Sequence, residues 1–306
     1  MKISVIDPLS QAIGWAGNVL FRPFDIKKWF VLGFCAWLAQ LGQGGGGGGG
    51  GNQLRGSHSP REIERGLHHA WDWVLANLLP ILILAGFLIV VVLAIWLLIL
   101  WLSSRGKFMF LDGVVNNRGR VVEPWHRFRA LGNSLFVFRT VLTLIAVVVV
   151  ISVLACGALS AILLESRGPE AFLVPFLIFI GLCLLTIGIV LALIALAVED
   201  FLVPLMYKSS CGVVVAWQEL RGLFSARPGS FILYVLVRIV VTILTVAIVV
   251  LACCLTCCIV VVPYIGTVIL LPLWVTVRAY PLYFLGQFGP QYSRFATLGP
   301  EEMTAS

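Results

Sequence analysis

The chain has 306 residues, of which 60% are apolar and only 11% charged, against about 25% charged in an ordinary soluble domain. That balance excludes a water-soluble globule, and the apolar content excludes an intrinsically disordered chain. The net charge of +7 is scattered over short loops rather than gathered on one basic face, so nucleic acid is not an expected partner.

Met1 to Asp7 holds one Lys and few apolar residues before Pro8, a pattern that predicts no cleaved leader. Residues 1–24 are expected to form an N-terminal interfacial helix. Between Asp7 and Phe21, apolar Ile13, Trp15, Ala16, Val19 and Leu20 share the sequence with Ser10, Gln11 and Asn18, although a plain extension of the first span fits equally. Trp29 to Gly42 offers only 14 uncharged residues, fewer than the roughly 20 a crossing needs. With Ile26 and the snorkelling stems of Lys27 and Lys28 it reads as a span over about 26–42.

An outer Gly-rich loop, 43–59, follows. Its eight consecutive glycines, Gly44 to Gly51, read as a flexible tether, because no strand, helix or lysine is placed to make a phosphate-cradling loop. From Pro60 the run PREIERGLHHAWDWVLANL reads as a helix capped by Ser59, with Glu62 and Glu64 in its first turn. His68 and His69 are adjacent and so diverge by about 100° on that helix, which favours aromatic anchoring by Trp71 and Trp73 over a metal site.

Further spans fall at about 78–102, 135–164, 171–198, 230–260 and 264–285. Leu78 to Leu102 is 25 residues without a charge, enough to cross roughly 30 Å of hydrocarbon. Ser166, Arg167, Gly168 and Pro169 supply a tight turn between the third and fourth spans, and Pro263, Tyr264 and Gly266 mark a reversal between the last two. The expected fold is an all-α polytopic transmembrane helical bundle over 25–286, with loops 104–132 and 200–228 and a tail 287–306. Six crossings place fourteen Lys and Arg on the side of both termini and four on the other, a positive-inside bias that puts the termini, both loops and the tail in the cytoplasm. Without the first crossing the split is ten against eight.

The two cytoplasmic loops look alike. FLDGVVNNRGRVVEPWHRF and DFLVPLMYKSSCGVVVAWQEL each run from an acid (Asp112, Asp200) through an apolar stretch and a polar turn to Val-Val and a Trp (Trp125, Trp217), then lead into a span containing Arg139 or Arg238. A parallel internal repeat explains this, and so does the general likeness of helix-loop-helix units.

Together with IDPLSQAIGWAGNVLFRPFDIKKWFVLGFCAWLAQLG, RGKFMFLDGVV, EPWHRF and EDFLVPLMY followed by AW, these features resemble uncharacterised bacterial multi-pass proteins related to the membrane domain found beside glycerophosphodiester phosphodiesterases. The resemblance implies a bacterial inner-membrane helical protein and no activity.

The charges within or near spans are Arg139, Glu199, Asp200, Arg238 and Arg278. Charges in hydrocarbon seldom face lipid, so these five are expected to converge, either as an ion-pair latch or as a site for an anionic headgroup or substrate; the latch is favoured because burial demands partners in either case. Trp15, Trp29, Trp71, Trp73, Trp125 and Trp217 are expected interfacial anchors. Cys253, Cys254, Cys257 and Cys258 lie on one helix and are read as packing residues, since one regular helix cannot surround a metal tetrahedrally. His126 lacks a nearby nucleophile, and neither HExxH nor GxSxG occurs. No enzyme, metal or cofactor is expected. The expected role is a membrane-organising or lipid-interacting component whose partners are the bilayer, anionic lipid headgroups, and another membrane protein or a second copy. The alternative is a small transporter for an anionic or amphipathic substrate.

Overall fold

The computed structural model describes residues 4–22, 24–41, 77–165, 173–256, 260, 262, 264–289 and 292. The octaglycine stretch, the helix expected from Pro60 with Trp71 and Trp73, the turn at Ser166 to Pro169, Cys257, Cys258 and most of the tail lie outside the described residues. Among the described residues no strand occurs. The helices are α1 (Asp7–Phe21), α2 (Ile26–Gln40), α3 (Leu78–Val115), α4 (Val122–Arg127), α5 (Arg129–Glu165), α6 (Leu173–Ala197), a π-helical turn (Val198–Leu202), α7 (Val203–Ser209), α8 (Val213–Ala226), α9 (Pro228–Leu255), α10 (Ile265–Ile269) and α11 (Leu271–Gly286).

Four stretches are long and apolar enough to cross a membrane: Leu78–Val115, Arg129–Ser160, Pro175–Ser209 and Pro228–Leu255. The first and last of the six expected spans fall short of that length. α2 has 15 residues, about 22 Å at 1.5 Å per residue, and the last stretch is broken at Leu270 into α10 and α11. Pro272, near the start of α11, has no backbone N–H and disfavours a helix running through the residue before it.

The third difference concerns where the second span ends. No proline intervenes after Leu102, and the isolated Gly106 and Gly113 do not stop a helix, so α3 continues through Arg105, Lys107 and Asp112 to Val115, and the expected loop from 104 begins only at Asn116. Asn117 closes the helix in the left-handed region, φ 52°, a conformation short polar side chains tolerate. Ser210, φ 48°, closes α7 in the same way. Each closure is followed by a short amphipathic helix (α4, α8) and then a long apolar one (α5, α9). Aligned on these two residues, Lys107 and Asp200 are equivalent, each ten positions earlier, and so are the buried Phe108 and Phe201. The sequence match of Asp112 with Asp200 is therefore displaced by five residues.

The chain forms two compact units, Leu41–Leu100 and the remainder. In the smaller one the described part of α3 bares its side chains, including Leu79, Leu84 and Phe87. In the larger unit α1 lays Ala12, Trp15, Ala16, Val19 and Leu20 along α11, where Ala279, Tyr280 and Phe284 are also buried. α2 packs on α10 and α11, with Trp29 Nε1–H donating to the Val268 carbonyl at 2.9 Å and the Tyr264 hydroxyl to the Phe30 carbonyl at 3.2 Å. Helix α3 approaches α2 so closely at Gly106 that a Cβ there would lie 2.7 Å from backbone atoms of Leu38 and Ala39. α5 and α6 pair at Gly157, against Ile180.

Candidate functional site

The five charges expected to converge do so, on three elements and a π turn. A π turn holds one residue more than an α turn and recurs at functional sites; here it carries Glu199 and Asp200 at the end of α6. Asp200 is buried and receives three hydrogen bonds from α9: Arg238 Nε at 2.8 Å, Arg238 Nη2 at 3.3 Å and the Tyr234 hydroxyl at 2.8 Å. Arg238 and Tyr234 are four residues apart and so lie one turn from each other on a single face. Tyr234 also stacks on Tyr280 of α11, ring centroids 5.1 Å apart.

Glu199 points elsewhere. Its carboxylate is paired with Lys107 of α3, whose side chain is only 3% exposed, and its main-chain carbonyl accepts from Arg278 Nη1 at 2.8 Å. Arg139 of α5 lies within electrostatic reach of Glu199 while donating to Ser103 and Ser104 at 3.4 and 3.3 Å. Four cations thus surround two carboxylates. Lys107 is the member sequence reasoning missed, because it was assigned to a loop. The signal was available: RGKFMFLDGVV contains no proline and only isolated glycines, and helix continuation carries Lys107 inward beside Phe108 and Leu111.

Next to this group, Asp112 accepts hydrogen bonds from the Tyr207 hydroxyl at 2.7 Å and Asn116 Nδ2 at 2.9 Å. Unlike Asp200 it has neutral partners. Tyr207 further packs on Phe128, 5.2 Å between centroids. Outside the spans, Arg120 donates to Glu123 at 2.8 Å and holds that carboxyl below the usual range, while burial pushes the Cys211 thiol up and so disfavours a reactive thiolate. Cys254 is a free thiol, and His126 is exposed. Among the described residues, no three His, Cys, Asp or Glu side chains gather as metal ligands.

The tryptophans expected as membrane anchors divide. Trp15 is buried inside the protein, its Nε1–H donating to the Val114 carbonyl at 3.1 Å; it packs between helices because its face of α1 meets α11. Trp29, Trp125 and Trp217 are half-buried. Arg105 lies over both Trp101 (4.2 Å to the ring centroid) and Trp125 (5.0 Å), a cation–π arrangement. Small residues of the long helices differ in the same way: Gly157 packs against Ile180, whereas Gly181 and Gly188 have nothing within 4 Å of a Cβ position, and Ser160 and Thr186 turn their hydroxyls back to their own helices.

A separate feature is a lateral groove of about 570 Å³ between α6, α8 and α9, walled by residues such as Leu193, Phe201, Trp217, Phe224 and Ile232, with Arg221 its one charged lining residue.

The model of the Family of unknown function (DUF7544) matches residues 3–289, nearly the whole chain, and the chain belongs to that family. The match shows no link to glycerophosphodiester phosphodiesterases. No curated protein and no solved structure matches the chain.

Proposed function

We propose that this member of the family is a non-enzymatic, lipid-interacting component of the bacterial inner membrane, in which the buried charges act as a latch between helices. The observation that carries the reading is the mutual engagement of those charges: Asp200 with Arg238 and Tyr234, Glu199 with Lys107 and Arg278. Groups held by one another hold the helices in register and leave the apolar faces turned outward as the surface that meets other molecules. The kinship to the phosphodiesterase-associated membrane domain remains part of this proposal and rests on the motifs quoted above.

The proposal includes six crossings with both termini in the cytoplasm. The positive-inside bias supports it, and so does the packing of the two short elements, α2 and the α10–α11 pair, on each other. Cysteine labelling in intact cells tests the orientation: a single reactive Cys in the octaglycine loop is expected to react with an impermeant reagent, and protection overturns the arrangement.

Neutralising Arg238 tests the latch. An Arg238→Gln chain is expected to lose folded, monodisperse protein; a well-folded variant that has lost a bound anion points instead to a binding site. One observation favours that second reading, transport of an anionic substrate. Buried Arg278 Nε and Nη2 have no hydrogen-bond partner among the described residues, beside a helix broken at Leu270.

A further inference from the structure

The lateral groove between α6, α8 and α9 has a composition that specifies its occupant. Its α6 and α9 walls include Val190, Leu193 and Ile232, each about half or more exposed, so the groove is continuous with the bare apolar faces of two helices long enough to span a membrane. Its α8 wall is different. Trp217 and Arg221 are one turn apart, as are Arg221 and Ser225, so these three side chains form a single stripe along the groove. Tryptophan settles at headgroup depth, where its ring is in hydrocarbon and its N–H is wet. Arg221 has no ion-pair partner among the described residues, and the acid two positions before it, Glu219, is taken by the Tyr292 hydroxyl at 2.7 Å.

We propose that this groove binds an anionic membrane phospholipid, with an acyl chain along Leu193 and Ile232 and the headgroup phosphate against Arg221 and Ser225. The inference rests on the lipid-interacting reading above and deepens it by assigning the site and the lipid class. The volume suits the task, since clefts of about 300–1,000 Å³ enclose small ligands. An apolar wall with one guanidinium and one hydroxyl at its margin matches the two parts of an amphiphile. The floor of the groove is Phe201, the residue after Asp200, whose ring lies 5.2 Å from Phe231 and 4.8 Å from Tyr234 between centroids. An occupying chain therefore touches the ring that backs the Asp200 latch.

The test uses the full chain in phosphatidylcholine vesicles doped with phosphatidylglycerol carrying a photoactivatable diazirine on its acyl chain, with a diazirine phosphatidylcholine as control. Labelled positions are mapped by peptide mass spectrometry. Adducts are expected on Leu193, Phe231 or Ile232 with the anionic probe, reduced about tenfold by Arg221→Gln, the size of one charge-assisted contact. Leu193→Trp, which fills the groove at a position that tolerates bulk, is expected to abolish them while elution on size exclusion is unchanged. Equal labelling by both probes, or labelling indifferent to Arg221→Gln, overturns the site. Anionic-probe adducts confined to other helices overturn the groove and retain the lipid-interacting reading; adducts spread evenly over all the bare helices, with preference for neither position nor headgroup, overturn both.

Discussion

The most hydrophobic part of the molecule and its best-buried part are different regions. In the apolar windows of α3 and of the Pro175–Ser209 stretch no residue is buried, and in those of α5 and α9 very few are. The buried core is built instead from α1, the ends of the long helices, the π turn, α7 and α11, and it contains Arg105, Lys107, Asp112 and Asp200. In water this distribution would be untenable; in a bilayer lipid covers the bare helices, and association there depends on packing and polar contacts rather than on hydrophobic burial. The charged residues are therefore where specificity resides.

The contrast can be broken most severely at its polar end. Arg238→Met leaves Asp200 buried without its cation and is expected to cost about 3–5 kcal/mol, whereas Asp200→Leu with Arg238→Met recovers most of that loss. Thermal unfolding in one detergent compares them, and a single variant as stable as the parent removes the latch. Gly106→Val drives a side chain into the backbone of α2 and is expected to cost about 1–3 kcal/mol in the same assay. Glu199→Gln is milder than Arg238→Met, about 1–3 kcal/mol, because the buried Lys107 loses its anion but can still donate to the amide oxygen that replaces the carboxylate.

At the bare end, Leu144→Ala changes a residue 66% exposed on α5 and is expected to move stability by no more than about 0.5 kcal/mol. A cost above 2 kcal/mol there would mean that a protein partner, not lipid, covers that face. The smallest effect belongs to the exposed Arg120–Glu123 pair. Arg120 lowers the Glu123 carboxyl in the folded chain, so the contribution is present above the ordinary carboxylate range and fades as pH falls through the lowered value. Melting curves of the parent and Glu123→Gln are expected to differ slightly at pH 7 and to coincide in strong acid.

The long helices were legible because composition alone determines them: 25 uncharged residues from Leu78 cannot remain in water. The convergence of Arg139, Glu199, Asp200, Arg238 and Arg278 was legible for the same reason, since each needs a partner out of water. What stayed hidden was pairing. Nothing in the order of residues says that Glu199 and Asp200 turn to different helices, because that depends on a local change of helical winding. Trp15 was misassigned since a tryptophan suits a membrane surface and a protein interior equally well; only the face α1 gives to α11 decides between them. The extent of α3 was missed by treating charge as the end of a span, although a helix can leave the apolar layer and continue.

The winding at Val198–Leu202 sets a constraint on length as well as on chemistry. An α-helix turns about 100° per residue, so a chain shorter by one residue in this stretch would relax to ordinary α geometry and swing one of the two acids away from its cation. Homologous sequences with a different side chain at a neighbouring position can keep the arrangement, but those that differ by a single insertion or deletion between α6 and Ser210 have to rebuild it.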